Sequence, residues 1–488
     1  MSLITRSRWQ SRVFVALTFA LFLVLSTSVR AFAASLTQIS SDPFTNSTSQ
    51  HQTEVEPDTY SFGSTIVATF QVGRFVDGGG SDTGWATSTN RGTTWKHGFL
   101  PGTTTFATPP GPYDRVSDPA VAFDAAHNTW MISSLALKGT VGAAVLISRS
   151  TDGGLTWSNP VAVATISPGG FFDKEWVVCD NTSTSPFFGH CYVEWDNTAS
   201  HDLILMSTST DGGNLWSPPQ ATADGAHGIG GQPLVQPDGT VIVPIEAVPS
   251  PKILAFASTN GGASWNSTVT VATIKAHPVA GNLRTSPLPS AEIDGAGKVF
   301  VVWQDCRFEN GCKANDIVLS TSTDGITWSA VQRIPADPVG SGVDHFIPGI
   351  GVDKSTSGST AHIGLAFYYY PVAACTTSTC QLDAGFVSST DGGSTWSANT
   401  QLAGPMNVTW LANTTQGFMV GDYISTSFSA GQAFPVFAVA TAPGAGVFNE
   451  AMFTVSGGLV ITGGQLTSSR DQVVASQNAT PSNPAAVI

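Results

Sequence analysis

Ser150-Thr-Asp-Gly-Gly-Leu-Thr-Trp157 is the stretch that decides the fold, because closely similar stretches recur along the chain. Its Asp can hydrogen-bond the backbone two residues on, and Gly adopts a positive φ without steric cost. Strand-like residues precede the turn, as in 144–148, and the terminal Trp can pack against that strand. Each copy is therefore predicted to form the tip of a β-hairpin. The six copies occupy 88–95, 150–157, 209–216, 258–265, 321–328 and 388–396. A calcium loop is the alternative, but each turn holds too few carboxylates for six oxygen ligands.

A second motif stands well upstream of each turn and opens a new repeat unit. It is usually followed by a strand, such as 120–123 or 349–352, and then by a second strand that often contains an aromatic residue, such as 299–303. With the hairpin, each unit therefore has four strands, which is one propeller blade. The openings are Glu54-Val-Glu-Pro57, Ser117-Asp-Pro119, Asp173-Lys-Glu-Trp176, Gly231-Gln-Pro233, Thr285-Ser-Pro287, His345-Phe-Ile-Pro348 and Val420-Gly-Asp-Tyr423.

The openings number seven, one more than the turns, and this count sets the predicted fold. We expect an all-β chain forming a β-propeller of four-stranded blades over residues 35–464, with seven blades favoured and six as the alternative. Residues 36–39 could supply the outer strand that the seventh unit lacks. Residues 465–488 are rich in Ser, Asn, Pro and Ala, so we expect a flexible tail there.

Residues 1–34 read as an export signal. Arg6, Arg8 and Arg12 precede an apolar run at 13–25, and Ala31-Phe-Ala33 has the small-x-small pattern of a cleavage site. A membrane anchor is the alternative, but the run is shorter than the roughly 20 residues that a spanning helix needs. We therefore expect a secreted protein with no membrane span after cleavage.

Charge and cysteine content restrict the partners. The formal net charge of −14 would become −18 once the signal and its four arginines are removed, and such an acidic surface repels nucleic acid. Six cysteines in an exported chain suggest disulfides, and pairing between sequence neighbours is the simplest arrangement. The expected pairs are Cys179 with Cys191, Cys306 with Cys312, and Cys375 with Cys380. No metal-ligand spacing stands out, so we expect no metal and no cofactor. We also expect the protein to be a monomer.

The repeated turn resembles the Asp box of the sialidase-like BNR-repeat propellers, and the resemblance covers nearly the whole chain after the signal. The stretches Asp173-Lys-Glu-Trp176, Trp303-Gln-Asp-Cys-Arg307 and Gly421-Asp-Tyr423 also resemble secreted bacterial members of that group. The resemblance implies a propeller fold and a carbohydrate or glycoconjugate partner. Sialidases of the family have six blades, three arginines that hold the substrate carboxylate, and a Tyr nucleophile assisted by a Glu. Their Phe/Tyr-Arg-Ile-Pro motif near the start of the domain is missing from this chain.

Propeller geometry predicts where a site would lie, because equivalent positions of the blades converge on one axis. The mouth of the channel should be ringed by Glu56, Asp118, Asp173, Lys174, Glu175, Gln232, Arg284, Asp344, His345, Asp422 and Tyr423. Among these and their neighbours we expect Arg115, Arg284 and Arg307 to bind an anion, with Asp422 beside them. Asp118 and Glu175 are the candidate acid and base, and Tyr423 the candidate nucleophile or hydrogen-bond donor. Each has a structural alternative: carboxylates that bond the backbone at a strand start, an Arg307 that braces the Cys306 loop, and a Tyr423 that only packs.

Two functions remain open at this point. One is a glycoside hydrolase acting on terminal sialic acid or a related sugar. The other is a non-catalytic extracellular propeller that binds glycan or protein. Three clustered arginines at the mouth favour the first, whereas a ring of carboxylates argues against it.

Overall fold

A computed structural model describes residues 35–444 and 446–464. The predicted export signal and C-terminal tail lie outside these residues. The described part is all-β, as predicted, with thirty-two strands and three short 3-10 turns at Thr198–Ser200, Gly358–Thr360 and Val408–Trp410. No helix in this part is long and apolar enough to cross a bilayer.

The strands form antiparallel sheets of about four strands each, numbered here sheet 1 to sheet 7. Sheet 1 contains β2 (Glu54–Phe62), β3 (Thr65–Arg74), β4 (Gly80–Ser88) and β5 (Lys96–Phe99). Sheet 2 contains β6 (Arg115–Asp124), β7 (Thr129–Lys138), β8 (Val141–Ser150) and β9 (Val161–Thr165). Sheet 3 contains β10 (Phe172–Cys179), β11 (Cys191–Asn197), β12 (Leu203–Ser209) and β13 (Gln220–Ala221). A single pair, Gly80 with Val116, joins sheets 1 and 2.

Sheets 4 to 6 repeat this order. Sheet 4 contains β14 (Gly228–Ile229), β15 (Leu234–Val235), β16 (Val241–Ala247), β17 (Lys252–Ser258) and β18 (Val269–Thr273). Sheet 5 contains β19 (Ser290–Ile293), β20 (Val299–Asp305), β21 (Asp316–Ser322) and β22 (Gln332–Arg333). Sheet 6 contains β23 (Asp344–Val352), β24 (Ile363–Tyr370), β25 (Gln381–Ser389) and β26 (Thr400–Asn407), and a hairpin of β27 (Ala412–Thr414) and β28 (Gly417–Met419) follows it.

Sheet 7 combines strands from distant parts of the sequence. It contains β29 (Ser425–Ser429), β30 (Gln432–Ala440), β31 (Glu450–Val455) and β32 (Leu459–Val460), and its outer strand is β1 (Leu36–Gln38). Leu36 lies opposite Val455 in antiparallel register, so the predicted contribution of this segment is confirmed. The first strands of successive sheets contact one another in order, through β15 in sheet 4, and β29 of sheet 7 contacts β2 of sheet 1.

The six repeated turns connect the third and fourth strands of sheets 1 to 6, as predicted for hairpin tips. In the turn of sheet 2, Asp152 Oδ1 accepts hydrogen bonds from the backbone N–H groups of Leu155 and Thr156, each at 3.0 Å. Ser150 Oγ accepts from the Gly154 N–H at 3.0 Å, and the Trp157 ring N–H donates to the Gly154 carbonyl at 3.1 Å. These bonds explain why the turn needs Ser, Asp, Gly and Trp at fixed spacing.

The core lies between neighbouring sheets, where the apolar faces of the strands are buried together. Trp195 of sheet 3 and Trp303 of sheet 5 are fully buried in two such clusters. Burial of apolar surface on this scale is the main term that stabilises the fold. The three predicted disulfides are formed, and no described cysteine is free.

A β-bulge interrupts the first strand in four of the seven sheets. The bulged residues Glu56, Asp118, Lys174 and Ile347 have φ between 49° and 58°, the left-handed region that non-glycine residues rarely adopt. At each bulge the register against the second strand of the sheet shifts. Bulges re-aim side chains and are frequent beside active sites, and backbone strain of this kind is retained mainly where a function requires it. Three of the four bulged residues are charged.

Candidate functional site

The charged bulge residues lie beside a cavity of about 380 Å³, called here the central cavity. Strands and loops of sheets 2, 3, 4 and 5 contribute to it, together with the segment around β28 that precedes sheet 7. The residues that line it are Asp118, Asp173, Lys174, Ile229, Leu283, Arg284, Thr285, Ser286, Leu288, Gln416 and Asp422. Of the residues predicted to ring the channel mouth, five line this one cavity: Asp118, Asp173, Lys174, Arg284 and Asp422.

Both cations of the cavity are already paired. Arg284 donates two hydrogen bonds to the Asp422 carboxylate. Its Nε donates to Oδ1 at 2.8 Å, and its Nη2 donates to Oδ2. Lys174 Nζ lies 3.5 Å from Asp118 Oδ1, and the two side chains are 5% and 8% exposed. The cavity therefore offers no unpaired cation among the described residues.

Carboxylates crowd this cavity and the space behind it. One oxygen from each of Glu56, Asp118 and Asp422 lies within 4.8 Å of the others. Burial raises the pKa of Glu56 to about 8, and the charges of Asp118 and Asp422 add to this. Burial likewise raises the pKa of Asp173 to about 7, helped by Asp118 and opposed by Lys174.

Tyr423 and Glu175 are fully buried rather than exposed to the cavity. The Tyr423 hydroxyl donates to the Pro119 carbonyl at 3.1 Å, and its ring packs edge-on against Trp176 at 5.1 Å. Burial, followed by the charges of Glu56 and Asp118, raises the pKa of Tyr423 well above its usual value. Glu175 is 0% exposed and neither of its carboxylate oxygens has a hydrogen-bond partner among the described residues. Burial raises its pKa well above the ordinary value, so both groups are held neutral.

Arg115 and Arg307 line no part of the central cavity. Arg115 pairs with Asp77 at 2.6 Å and stacks over the Phe75 ring. Arg307 pairs with Asp305 at 2.7 Å and donates to the Thr273 carbonyl, beside the Cys306–Cys312 bridge. The arginines named from the sequence are thus spread over several sheets.

Three other residues of the predicted ring have different surroundings. Asp344 accepts hydrogen bonds from Asn315 at 2.8 and 2.9 Å, and His345 lies near Asp337. Gln232 lines a second cavity of about 360 Å³, called here the distal cavity. The distal cavity is lined by residues further along the same first strands, such as Asp58, Val121 and Trp176.

Several acids around the cavity were not singled out from the sequence. Glu194 and Asp196 follow Cys191 on β11 and are completely buried. Burial raises the pKa of Glu194 to about 8. A β-carbon at Gly231 would lie 2.4 Å from the Glu194 carboxyl carbon, which explains the glycine of the fourth opening. Glu194 and Asp196 stand at alternate positions of 191–197, and alternate residues of a strand share one face. This spacing was the sequence signal that could have identified them.

Comparison with known proteins gives a family match and a set of similar folds. Residues 140–347 match the BNR repeat-like domain family. No curated protein matches the chain. Among solved structures, a Hadza microbial sialidase is 18% identical over 65% of this chain and 64% of its own, with a TM-score of 0.45. The chain thus spans less than two thirds of that sialidase. An ulvan lyase of polysaccharide lyase family PL25, bound to -[GlcA(1-4)Rha3S]-, is 10% identical over 90% of this chain and 99% of its own, with a TM-score of 0.51.

Proposed function

We propose that the chain, whose residues 140–347 match the BNR repeat-like family, is a secreted glycoside hydrolase of the sialidase-like kind with the central cavity as its active site. We further propose that its seven sheets are the blades of one closed propeller. The contact of β29 with β2 and the pairing of β1 with β31 support closure. Three disulfides support export to an oxidising compartment.

One observation carries the catalytic part of the proposal: two acids with different charged neighbours line the same cavity. Asp173 has a pKa raised to about 7 by burial and by Asp118, so it can keep a proton near neutral pH. Asp118 instead has the ammonium group of Lys174 3.5 Å from its Oδ1, so this carboxyl group faces a positive charge. A protonated acid and an ionised carboxylate are the pair that glycoside hydrolysis uses.

In this scheme Asp173 donates its proton to the oxygen of the leaving group as the glycosidic bond breaks. Asp118 faces the developing positive charge of the sugar and acts as base or nucleophile. A carboxylate oxygen of Glu56 lies within 4.8 Å of one from Asp118. The backbone bulge at Glu56 orients the Glu56 carboxyl group. Asp422 holds Arg284 in a fixed orientation. In this scheme Tyr423 does not attack the sugar. Its ring packs against Lys174, which in turn contacts Asp118.

The substrate that suits this cavity is a neutral sugar. Three carboxylates, Asp118, Asp173 and Asp422, line it against two cations that are already paired. A substrate carboxylate would face three acidic side chains and no unpaired guanidinium among the described residues. Carboxylates and hydroxyl side chains such as Ser286 are instead good partners for sugar hydroxyl groups. Sialic acid remains the other candidate, and it would require Arg284 to leave Asp422.

A non-catalytic glycan-binding propeller is the second candidate. It is favoured by the burial of Glu175 and Tyr423, since two of the groups expected to react cannot touch a ligand in the cavity. The internal pairing of Arg284 and Lys174 is also compatible with a purely structural charge network.

The test is a screen of the purified protein on fluorogenic neutral glycosides and sialosides across pH. The proposal expects turnover of a neutral glycoside, with a rate that falls as Asp173 loses its proton near pH 7. Asp173→Asn should lower kcat by at least about 100-fold, whereas the matched change Asp238→Asn, at an exposed turn, should not. Saturable binding without turnover would favour the binding propeller, and turnover of sialosides alone would overturn the neutral-sugar assignment.

A further inference from the structure

A second group of ligand-type side chains lies away from the central cavity, between sheets 5 and 6. Asp316 begins β21, His345 lies on β23, and Asp337 lies on the loop that joins β22 to β23. One potential metal-ligand atom from each lies within 4.8 Å of the others. None of the three lines the central or the distal cavity.

The Nε2 atom of His345 faces the carboxylate of Asp337. The Nδ1 atom of the same ring lies 3.2 Å from the Asn315 carbonyl oxygen, which can only accept, so Nδ1 carries the proton. Nε2 is then an acceptor, and it lies 3.8 Å from Asp337 Oδ1. The side chain is 2% exposed, and Nε2 has no hydrogen-bond partner among the described residues. Two acceptors that are buried against each other need a hydrogen-bond donor or a cation between them.

Asp316 also has an unused acceptor. Its Oδ2 is buried and has no hydrogen-bond partner in the described part of the chain, and its side chain is 3% exposed. The group therefore holds two unsatisfied ligand atoms from different sheets, Asp316 Oδ2 and His345 Nε2. Both are of types that bind divalent transition metals.

Arg333 orients the two carboxylates and leaves these atoms open. Its Nε donates to Asp316 Oδ1 at 2.8 Å, and its Nη2 donates to Asp337 Oδ1 at 2.9 Å. Hydrogen bonds to the ligating groups are a usual part of metal sites, because they fix the geometry of those groups. Burial raises the pKa of Asp316 to about 8, so a bound metal ion would take the place of a proton on this carboxyl group.

We propose that Asp316, Asp337 and His345 bind a divalent transition metal ion of the Zn²⁺ class. One imidazole nitrogen and two carboxylate oxygens provide three ligands, and water would complete four. Asp337 is 16% exposed, which gives the ion a route from solvent. The ion would tie the loop at 334–343 to sheets 5 and 6, so its role is structural and independent of the proposed hydrolase activity.

The test uses the purified protein, stripped with EDTA and titrated with ZnCl₂ by calorimetry, with metal content measured after dialysis. We expect one Zn²⁺ per chain and a rise in Tm of about 3–5 °C at a hundredfold excess over Kd. His345→Gln should abolish both effects, and His97→Gln, at an exposed position on β5, should abolish neither. If His345→Gln does not fold, Asp337→Asn on the loop replaces it and must weaken Zn²⁺ binding at least about tenfold.

Absence of saturable Zn²⁺ binding to the wild-type protein overturns the proposal. Equal binding by the His345 or Asp337 variant also overturns it, and so does a response to CaCl₂ without one to ZnCl₂, because Ca²⁺ takes oxygen ligands alone.

Discussion

The ammonium nitrogen of Lys174 lies 3.3 Å from the centroid of the Tyr423 ring. The same nitrogen is 3.5 Å from Asp118, and it has no hydrogen-bond partner among the described residues. The aromatic face and the carboxylate together replace the water that the charge has lost. A lysine from sheet 3 is thus held between an acid from sheet 2 and a tyrosine that precedes sheet 7.

The coupling between Lys174 and Tyr423 is measurable by a double-mutant cycle. We expect Lys174→Met and Tyr423→Leu to be non-additive by about 1–2 kcal/mol, since a desolvated cation–π contact has this magnitude. Denaturant unfolding of the two single variants and the double variant gives the coupling. A coupling near zero would mean that Asp118 alone holds the lysine.

Releasing Arg284 should create affinity for acidic sugars. In the wild-type protein its guanidinium is occupied by Asp422. Asp422→Asn removes the competing charge, so sialyllactose should bind more tightly by about 1–3 kcal/mol. Calorimetry with lactose as the neutral control checks this, and lactose affinity should be unchanged. Equal sialyllactose affinity in both proteins would show that Arg284 does not face the ligand.

The stability of the protein should fall as pH rises from about 4 to 8. Asp173, Glu56 and Glu194 have pKa values raised by burial to about 7, 8 and 8 in the folded state, whereas the unfolded chain has ordinary values near 4. Within this window the unfolded chain has lost protons that the folded protein keeps, so deprotonation favours unfolding. Each such group contributes a slope on the order of 1 kcal/mol per pH unit. Urea unfolding at several pH values measures it, and Asp173→Asn should reduce the slope between pH 4 and 7.

The tryptophans of the repeated turns should not be equal in their effect on stability. Trp396 and Trp265 are 2% and 3% exposed, whereas Trp157 and Trp328 are only half-buried. We expect Trp396→Ala to cost about 3–5 kcal/mol and Trp157→Ala clearly less, because the cost follows the buried volume that is lost. Comparison of the two unfolding free energies tests this, and glycan binding should survive in both folded variants. Equal costs would contradict the argument from burial.

Two of the three disulfide loops differ twofold in length and allow a test of loop entropy. Cys306–Cys312 closes a separation of 6 residues and Cys179–Cys191 one of 12. Replacing both cysteines by Ser should cost roughly 2 kcal/mol for the first bridge and roughly 3 kcal/mol for the second. Denaturant unfolding measures the two values. The reverse order would mean that local packing, rather than loop length, sets the effect.

The repeated turns and openings predicted the all-β fold, the hairpins and the outer strand at 36–38, because each depends on local chemistry that repeats. The disulfides also followed from sequence proximity. The surroundings of single side chains did not. Arg307 and Arg284 look equivalent in the sequence, yet one pairs with Asp305 two residues away and the other with Asp422 across the molecule.

Two kinds of feature escaped the sequence for physical reasons. The β-bulges at Glu56, Asp118 and Lys174 depend on a mismatch between two strands, which no single strand displays. The Asp316, Asp337 and His345 group gathers residues from two sheets and a loop, so their spacing in the sequence resembles no metal motif. The repeat pattern did not predict how the charged side chains around the central cavity pair with one another.

The pairing of β1 with β31 has a consequence for the order in which the chain can fold. The Thr37 and Ser456 hydroxyls meet at 2.7 Å across 419 residues of sequence, whereas sheets 1 to 6 are each built from one continuous stretch. Those six can assemble locally while synthesis is still in progress. Sheet 7 must wait until residues 450–455 have emerged, and the search of β1 for its partner is then a slow, non-local step. A chaperone that protects an unpaired strand edge would therefore act on β1, and a chain cut before residue 450 would keep that edge exposed to aggregation.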